Sequence, residues 1–262
     1  MEKLPILIII PHGGVQPPEE LESLALTDKF ELFLSSDTCA NDLFYFEKES
    51  AGVISTHISK LFVDLNRSRT AIFPATTDGV IKKKTPYGKS VYEEPFFPDE
   101  IAAANIIRRY YDPFYETVDK IIKTGEIRLI LECHTTFGIG LPQTPQADRP
   151  LPMITVHNRI ERSGSMIQTC HDTAAVMLVE LLRKNLGISP SMGTRISDTP
   201  SHGALLHTFA KYTPYLRLDI SRSLFFDDKY FNLEYIKVDQ LRIKYLRKKI
   251  WDAISKTFLK CI

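Results

Sequence analysis

Four apolar runs in this chain each end on a dense polar set, and that repeated pairing limits its fold more than any other feature. Residues 4–10 run into Pro11-His12-Gly13-Gly14, and 61–63 into Asp64-Leu65-Asn66-Arg67-Ser68. Residues 127–131 run into Glu132-Cys133-His134-Thr135-Thr136, and 215–218 into Asp219-Ile220-Ser221-Arg222. Short β-branched runs bounded by glycine or proline read as buried strands. In open α/β sheets, ligands bind in the crevice beyond the carboxyl ends of such strands. Histidines, carboxylates and arginines are therefore expected to converge on one sheet edge, an arrangement that suggests a metal hydrolase for a carboxylate-bearing substrate.

The length of 262 residues suits one large α/β domain, 1–262, with a substantial core. With 33 basic against 32 acidic residues there is no electrostatic footprint for nucleic acid or a membrane surface. The one dense basic run, Lys82-Lys83-Lys84, falls in a loop and reads as solvated. Cys39, Cys133, Cys170 and Cys261 are scattered, which points to a reducing cytoplasm and excludes a disulfide framework or zinc knuckle. Cys133 reads as a small core residue. The first apolar run is too short for a signal peptide, and no run approaches transmembrane length.

Strands are expected at 4–10, 52–57 with 59–63, 127–131, 153–157, 194–197 and 215–220. Helices are expected at 19–26, from a cap at Ser36-Asp37-Thr38 to about 49, at 99–124, 166–185, 204–211 and 233–258. The helix over 99–124 should bend near Asp112-Pro113, because proline removes an amide and crowds the preceding turn. In the last helix Ile236, Leu241, Tyr245, Ile250 and Ile254 form the expected apolar stripe. The segments 71–98 and 137–152 read as long loops of the kind that carry function. This alternation predicts a layered α/β fold.

His12 follows a strand and precedes two glycines, which leave space beside the imidazole. Glu132 and His134, two apart on a strand, face the same side. Such a carboxylate either binds the same metal or orients the ring. A catalytic zinc site has three protein ligands and an open position; the third is open between Asp37, Asp42 and Glu132. Arg67 can fork around a carboxylate or stabilise an oxyanion, with Asn66 beside it. Asp219 and Arg222 form a similar late cluster, in which Asp219 could act as a general base. His57, His157, His171, His202 and His207 carry weaker signals. No HExxH, GxSxG or phosphate-binding loop is present.

In order, Pro-His-Gly-Gly, Ser36-Asp37, Asp42-Leu43, His57, Asp64-Leu65-Asn66-Arg67-Ser68, Gly88 with Tyr92, the 108–115 motif Arg-Arg-Tyr-Tyr-Asp-Pro-Phe-Tyr, Glu132-Cys133-His134-Thr135 and Leu218-Asp219-Ile220-Ser221-Arg222-Ser223-Leu224 resemble the N-formylglutamate amidohydrolase family. That family is related to zinc carboxypeptidases and aspartoacylases. The resemblance implies a three-layer α/β fold, a central mixed sheet flanked by helices, with a single Zn2+ at the strand ends. It implies His12, Asp37 and His134 as metal ligands, and Asp219 as general base with Arg67 assisting. It further implies Arg67, Arg222 and Asn66 as the holders of a small carboxylate-bearing substrate. The late motif has Asp219 where the family carries Glu, one methylene longer. Two alternatives stand beside an N-acyl amino acid hydrolase: a carboxypeptidase-like metallopeptidase, and a catalytically idle ligand-binding member.

Overall fold

Alternate residues of the first strand point into two different cores: Ile6, Ile8 and Ile10 into one, Leu7 and Ile9 into the other. This period-two division is what a strand buried on both faces requires. The computed structural model describes residues 2–25, 28–93, 95–140, 147–189, 203–232 and 234–262, with the backbone alone at 194–197. The expected helix ends at Leu26 and Leu233, and His202, lie outside the described residues.

The elements in order are β1 (Leu4–Ile10), α1 (Lys29–Ser35), α2 (Ala40–Phe44), β2 (Ser50–Ser55), α3 (Glu100–Ile106), α4 (Asp112–Ile122) and β3 (Leu129–Thr136). They continue with β4 (Ile154–His157), β5 (Arg159–Arg162), β6 (Ser165–Gln168), α5 (Asp172–Leu186), β7 (Thr194–Ser197), α6 (Ala204–Phe209) and β8 (Tyr215–Ser221). The last are β9 (Phe231–Asn232), β10 (Lys237–Val238) and α7 (Gln240–Cys261). Among the described residues the main sheet has the order β2-β1-β3-β8-β4-β7. Strands β2, β1, β3 and β8 are parallel, and β4 runs antiparallel to β8, so the sheet is mixed. Residues of α2, α5 and α7 cover one face, and those of α3, α4 and α6 the other. The layered fold expected from the sequence is the one observed.

Several expected elements are corrected. Residues 59–63 form no strand: the amides of Phe62 and Val63 both turn back to the Ser59 carbonyl. Asp64 therefore sits on a loop braced by Tyr111 and Tyr115, whose hydroxyls donate to the carbonyls of Arg67 and Leu65 at 2.8 Å. Asp37 caps no long helix; α2 starts only after Cys39, at φ 61°. The α1 helix, capped by Asp28 through the Glu31 amide, was not expected. Residues 166–168 belong to the β5–β6 hairpin, closed by Ser163-Gly164 with both φ positive, as a tight two-residue turn demands. Residues 107–111 form a π-helical turn ahead of Pro113 instead of a simple bend, which accommodates the missing amide. In α7 the buried stripe includes Ile243, Leu246, Ile250 and Ile254, whereas Leu241 and Tyr245 are exposed. No helix among the described residues is long and apolar enough to cross a membrane.

Candidate metal centre and active site

Register places the polar ends of β3 and β8 side by side, with Glu132 opposite Arg217 and His134 opposite Asp219. The alternate residues Leu131, Cys133, Leu216, Leu218 and Ile220 point into the apolar core. One sheet face thus carries a buried polar enclave where the strands end. Cys133 is fully buried on the opposite side, as its reading as a core residue required.

His12, just beyond β1, and His134 in β3 face each other with ring centroids 5.0 Å apart. Between them lies Asp37, whose Oδ2 is 2.6 Å from His134 Nδ1 and 3.7 Å from His12 Nδ1. The other ring nitrogen of each histidine meets a different carboxylate. His12 Nε2 is 2.7 Å from Asp64 Oδ1, and His134 Nε2 is 2.6 Å from Glu132 Oε1. A carboxylate on Nε2 can hold a proton there, which leaves Nδ1 as the nitrogen each ring would offer to a metal once its own proton is lost. Among the described residues, His12, Asp37 and His134 bring one ligand atom each within 4.8 Å of one another. Two imidazole nitrogens and a carboxylate oxygen, with both rings already oriented from behind, fit a zinc ion. Of the three carboxylates open from sequence, Asp37 joins both histidines, Glu132 backs His134, and Asp42 is exposed.

Each backing carboxylate is anchored in turn. Asp64 accepts from the Asn66 amide at 2.9 Å and pairs with Lys82 Nζ at 2.9 Å. Glu132 Oε1 accepts from Asn66 Nδ2 at 2.5 Å, and its Oε2 from the Tyr215 hydroxyl at 2.7 Å. Burial opposes ionisation of these groups, but nearby cations outweigh it. Lys60 and the two imidazoles hold Asp37 well below the usual carboxylate range, and Lys82, His12 and Arg67 do the same for Asp64. Glu132, bonded to His134 with Arg217 nearby, falls to about 2. For His134, burial and Arg217 favour the neutral ring, yet Asp37 and Glu132 prevail and raise its pKa to about 9.

A cavity of about 720 Å³ opens onto this cluster. Its wall includes Lys60, Arg67, Lys82, Phe137, Arg217 and Arg222. Arg67 pairs with Asp78 at 2.8 Å and approaches Asp64 at 3.6 Å. Arg222 is buried, donates to the carbonyls of Leu34 (2.7 Å) and Ser36, and lies 4.4 Å over the Phe137 ring. Asn66 has both amide ends engaged, since its Oδ1 also accepts from the Leu205 amide at 3.2 Å. Asp219 meets Arg217 Nε at 2.9 Å and His157 Nε2 at 3.0 Å. Burial raises its pKa, but Arg217 and His157 pull it below the ordinary value.

Sequence reasoning missed Lys60, Lys82 and Arg217, and gave His157 only a weaker signal. Arg217 was findable, because it stands two positions before Asp219 and so shares its strand face. Lys82, read as solvated, is buried between Asp64 and Asp78. An irregular loop has no period to reveal that inward turn. Lys83 and Lys84 are exposed, as expected.

A mixed sheet with helices on both faces carries polar residues from three strand ends and an intervening loop into one cavity, and together with its sequence family this marks the chain as a hydrolase of amide bonds. The sequence profile of N-formylglutamate amidohydrolase matches residues 4–225, and the chain belongs to that family. Among solved structures it is similar to N-formylglutamate amidohydrolase from Ralstonia eutropha JMP134, at 19% identity and a TM-score of 0.70 over 98% of this chain and 94% of that one. A gene product of Agrobacterium tumefaciens is similar at 15% identity and a TM-score of 0.60, over 97% and 92% of the two chains. Csd4, a D,L-carboxypeptidase of Helicobacter pylori, gives 12% identity and a TM-score of 0.41 over 98% of this chain and 51% of its own. No curated protein matches the sequence.

Proposed function

We propose that this chain, acting as one domain over 1–262, is a zinc-dependent amidohydrolase for a small N-acyl amino acid such as N-formylglutamate. The observation that carries the reading is the pair of Nδ1 atoms facing Asp37 Oδ2, each ring backed by a carboxylate. His12, Asp37 and His134 would hold the metal. When bound, zinc supplies Lewis acidity, polarising a carbonyl and making water a nucleophile near neutral pH.

The chain's own residues supply the rest. Asp219 takes a proton from the attacking water and returns it to the departing amine, since one positioned carboxylate can serve both steps. Arg217 and His157 hold its carboxylate ionised, set back from the cavity lining, so the role requires that they release it when substrate binds. Arg67, on the cavity wall, holds the substrate carboxylate or the developing oxyanion. Arg222 adds positive charge while bracing the loop that carries Asp37. Asn66 contributes by holding Glu132 against His134. Membership of the family supports the reaction class, and the cationic wall supports an anionic substrate.

The test is hydrolysis by zinc-loaded protein of N-formylglutamate, other N-acyl amino acids and the same compounds with blocked carboxylates. Turnover should require the free carboxylate, with kcat/KM falling about 100-fold on blocking, the scale of a lost charged contact. Cleavage indifferent to blocking would contradict the carboxylate-anchored reading and favour a peptidase.

A further inference from the structure

Asp37 divides its two oxygens between opposite kinds of partner. Oδ2 faces the two histidines, while Oδ1 receives Lys60 Nζ at 2.7 Å and lies 3.9 Å from an Arg222 nitrogen. Asp37 is almost wholly buried and the Lys60 side chain is 17% exposed, so this ion pair is sheltered from solvent screening.

The lysine is held there by the backbone. Gln16 donates to the His57 carbonyl at 3.0 Å, and Ser59 donates back to Gln16 at 2.8 Å, which ties 57–59 to the chain leaving His12. At Gly14 a Cβ would run into the backbone of His57 and Ile58, so glycine is what permits this approach. Lys60 thus arrives from the segment that the Pro-His-Gly-Gly turn fixes.

We infer that Lys60 is a positioning residue that occupies Oδ1 and restricts Asp37 to holding a cation through Oδ2 alone. The inference rests on the proposed metal centre. A carboxylate free on both oxygens can chelate, taking up the position that a catalytic site keeps open for substrate or water. An ammonium group on Oδ1 blocks that mode by contact and by repulsion of the incoming cation. Arg222 is no substitute, because its guanidinium is directed to the Leu34 and Ser36 carbonyls.

The test is X-ray absorption at the zinc edge on zinc-loaded wild type, Lys60→Met and Lys60→Arg, with zinc affinity by chelator competition and turnover alongside. Wild type and Lys60→Arg should show one Asp37 oxygen on the metal, and Lys60→Met a second. Removing the competing cation should make zinc bind about tenfold more tightly in Lys60→Met while kcat falls. A merely structural role would instead weaken zinc binding and turnover together. If Lys60→Met does not fold, Lys60→Gln takes its place, and the wild-type spectrum alone still decides how Asp37 binds. Zinc bound through both Asp37 oxygens in wild type overturns the role of Lys60 but leaves the metal centre standing. A wild type that takes up no zinc removes the metal centre and this inference with it.

Discussion

At the residue scale the centre is a set of nested pairs: two imidazoles facing one carboxylate, two carboxylates behind the rings, and cations behind the carboxylates. Removal of an outer partner should loosen the ring it orients, at a typical cost of 10–100-fold in metal affinity. Asp64→Asn should therefore weaken zinc binding by about that factor, read by chelator competition, without emptying the site. Asp219→Asn should retain full zinc but lose about 10²–10⁴ in kcat, the usual contribution of a positioned proton carrier. Near wild-type turnover in that variant would remove Asp219 from the chemistry. The pH dependence follows from His134. Without metal its pKa is raised from 6.5 to about 9, so its ion pairs stabilise the fold fully below 6.5, and that stability is lost as pH rises through 9. Zinc requires the neutral ring, so zinc affinity should rise about tenfold per pH unit up to about pH 9. A flat profile between pH 7 and 9 would mean that His134 binds no metal.

At the element scale, legibility tracked periodicity. β1, β3 and β8 were readable because each carries an apolar run or alternation that ends on polar residues, and the histidine and carboxylate positions followed from those ends. The same signal misled at 61–63, a buried apolar triplet held in a turn, and at 166–168, where a hairpin replaced an expected helical turn. Both segments are shorter than the span over which two-residue and 3.6-residue periods diverge. Asp37 reads both as part of a cap, because Ser-Asp-Thr is a capping sequence, and as one of three candidates for the third ligand. What separates these readings is its contact with His134, 97 positions away, which no local pattern encodes. The turn after β1 gives a test at this scale. Gly14→Ala should destabilise the protein by about 1–3 kcal/mol through the clash with the 57–58 backbone. It should also weaken zinc binding, because the turn that carries the ligand His12 shifts with it. Denaturant titration and chelator competition on one sample would show whether the two losses accompany each other.

For the whole molecule, the apolar clusters on either side of the sheet form without any contribution from a metal. Metal removal should accordingly leave the far-ultraviolet circular dichroism intact and lower only the thermal midpoint, since ligand binding adds RT ln(1 + [L]/Kd) to the stability of the native state. The layered architecture was legible in the sequence as a whole because strand and helix patterns alternate along it. The cations that neutralise the site were not, because Lys60 and Lys82 arrive on irregular segments placed only by tertiary contacts. The most direct test of the central claim is the metal content of purified protein, wild type beside His12→Ala and His134→Ala, by elemental analysis after zinc loading. The account predicts close to one zinc per wild-type chain and loss of that zinc in both variants. Wild-type protein that holds no zinc, or a His134→Ala variant that keeps it, would contradict the account.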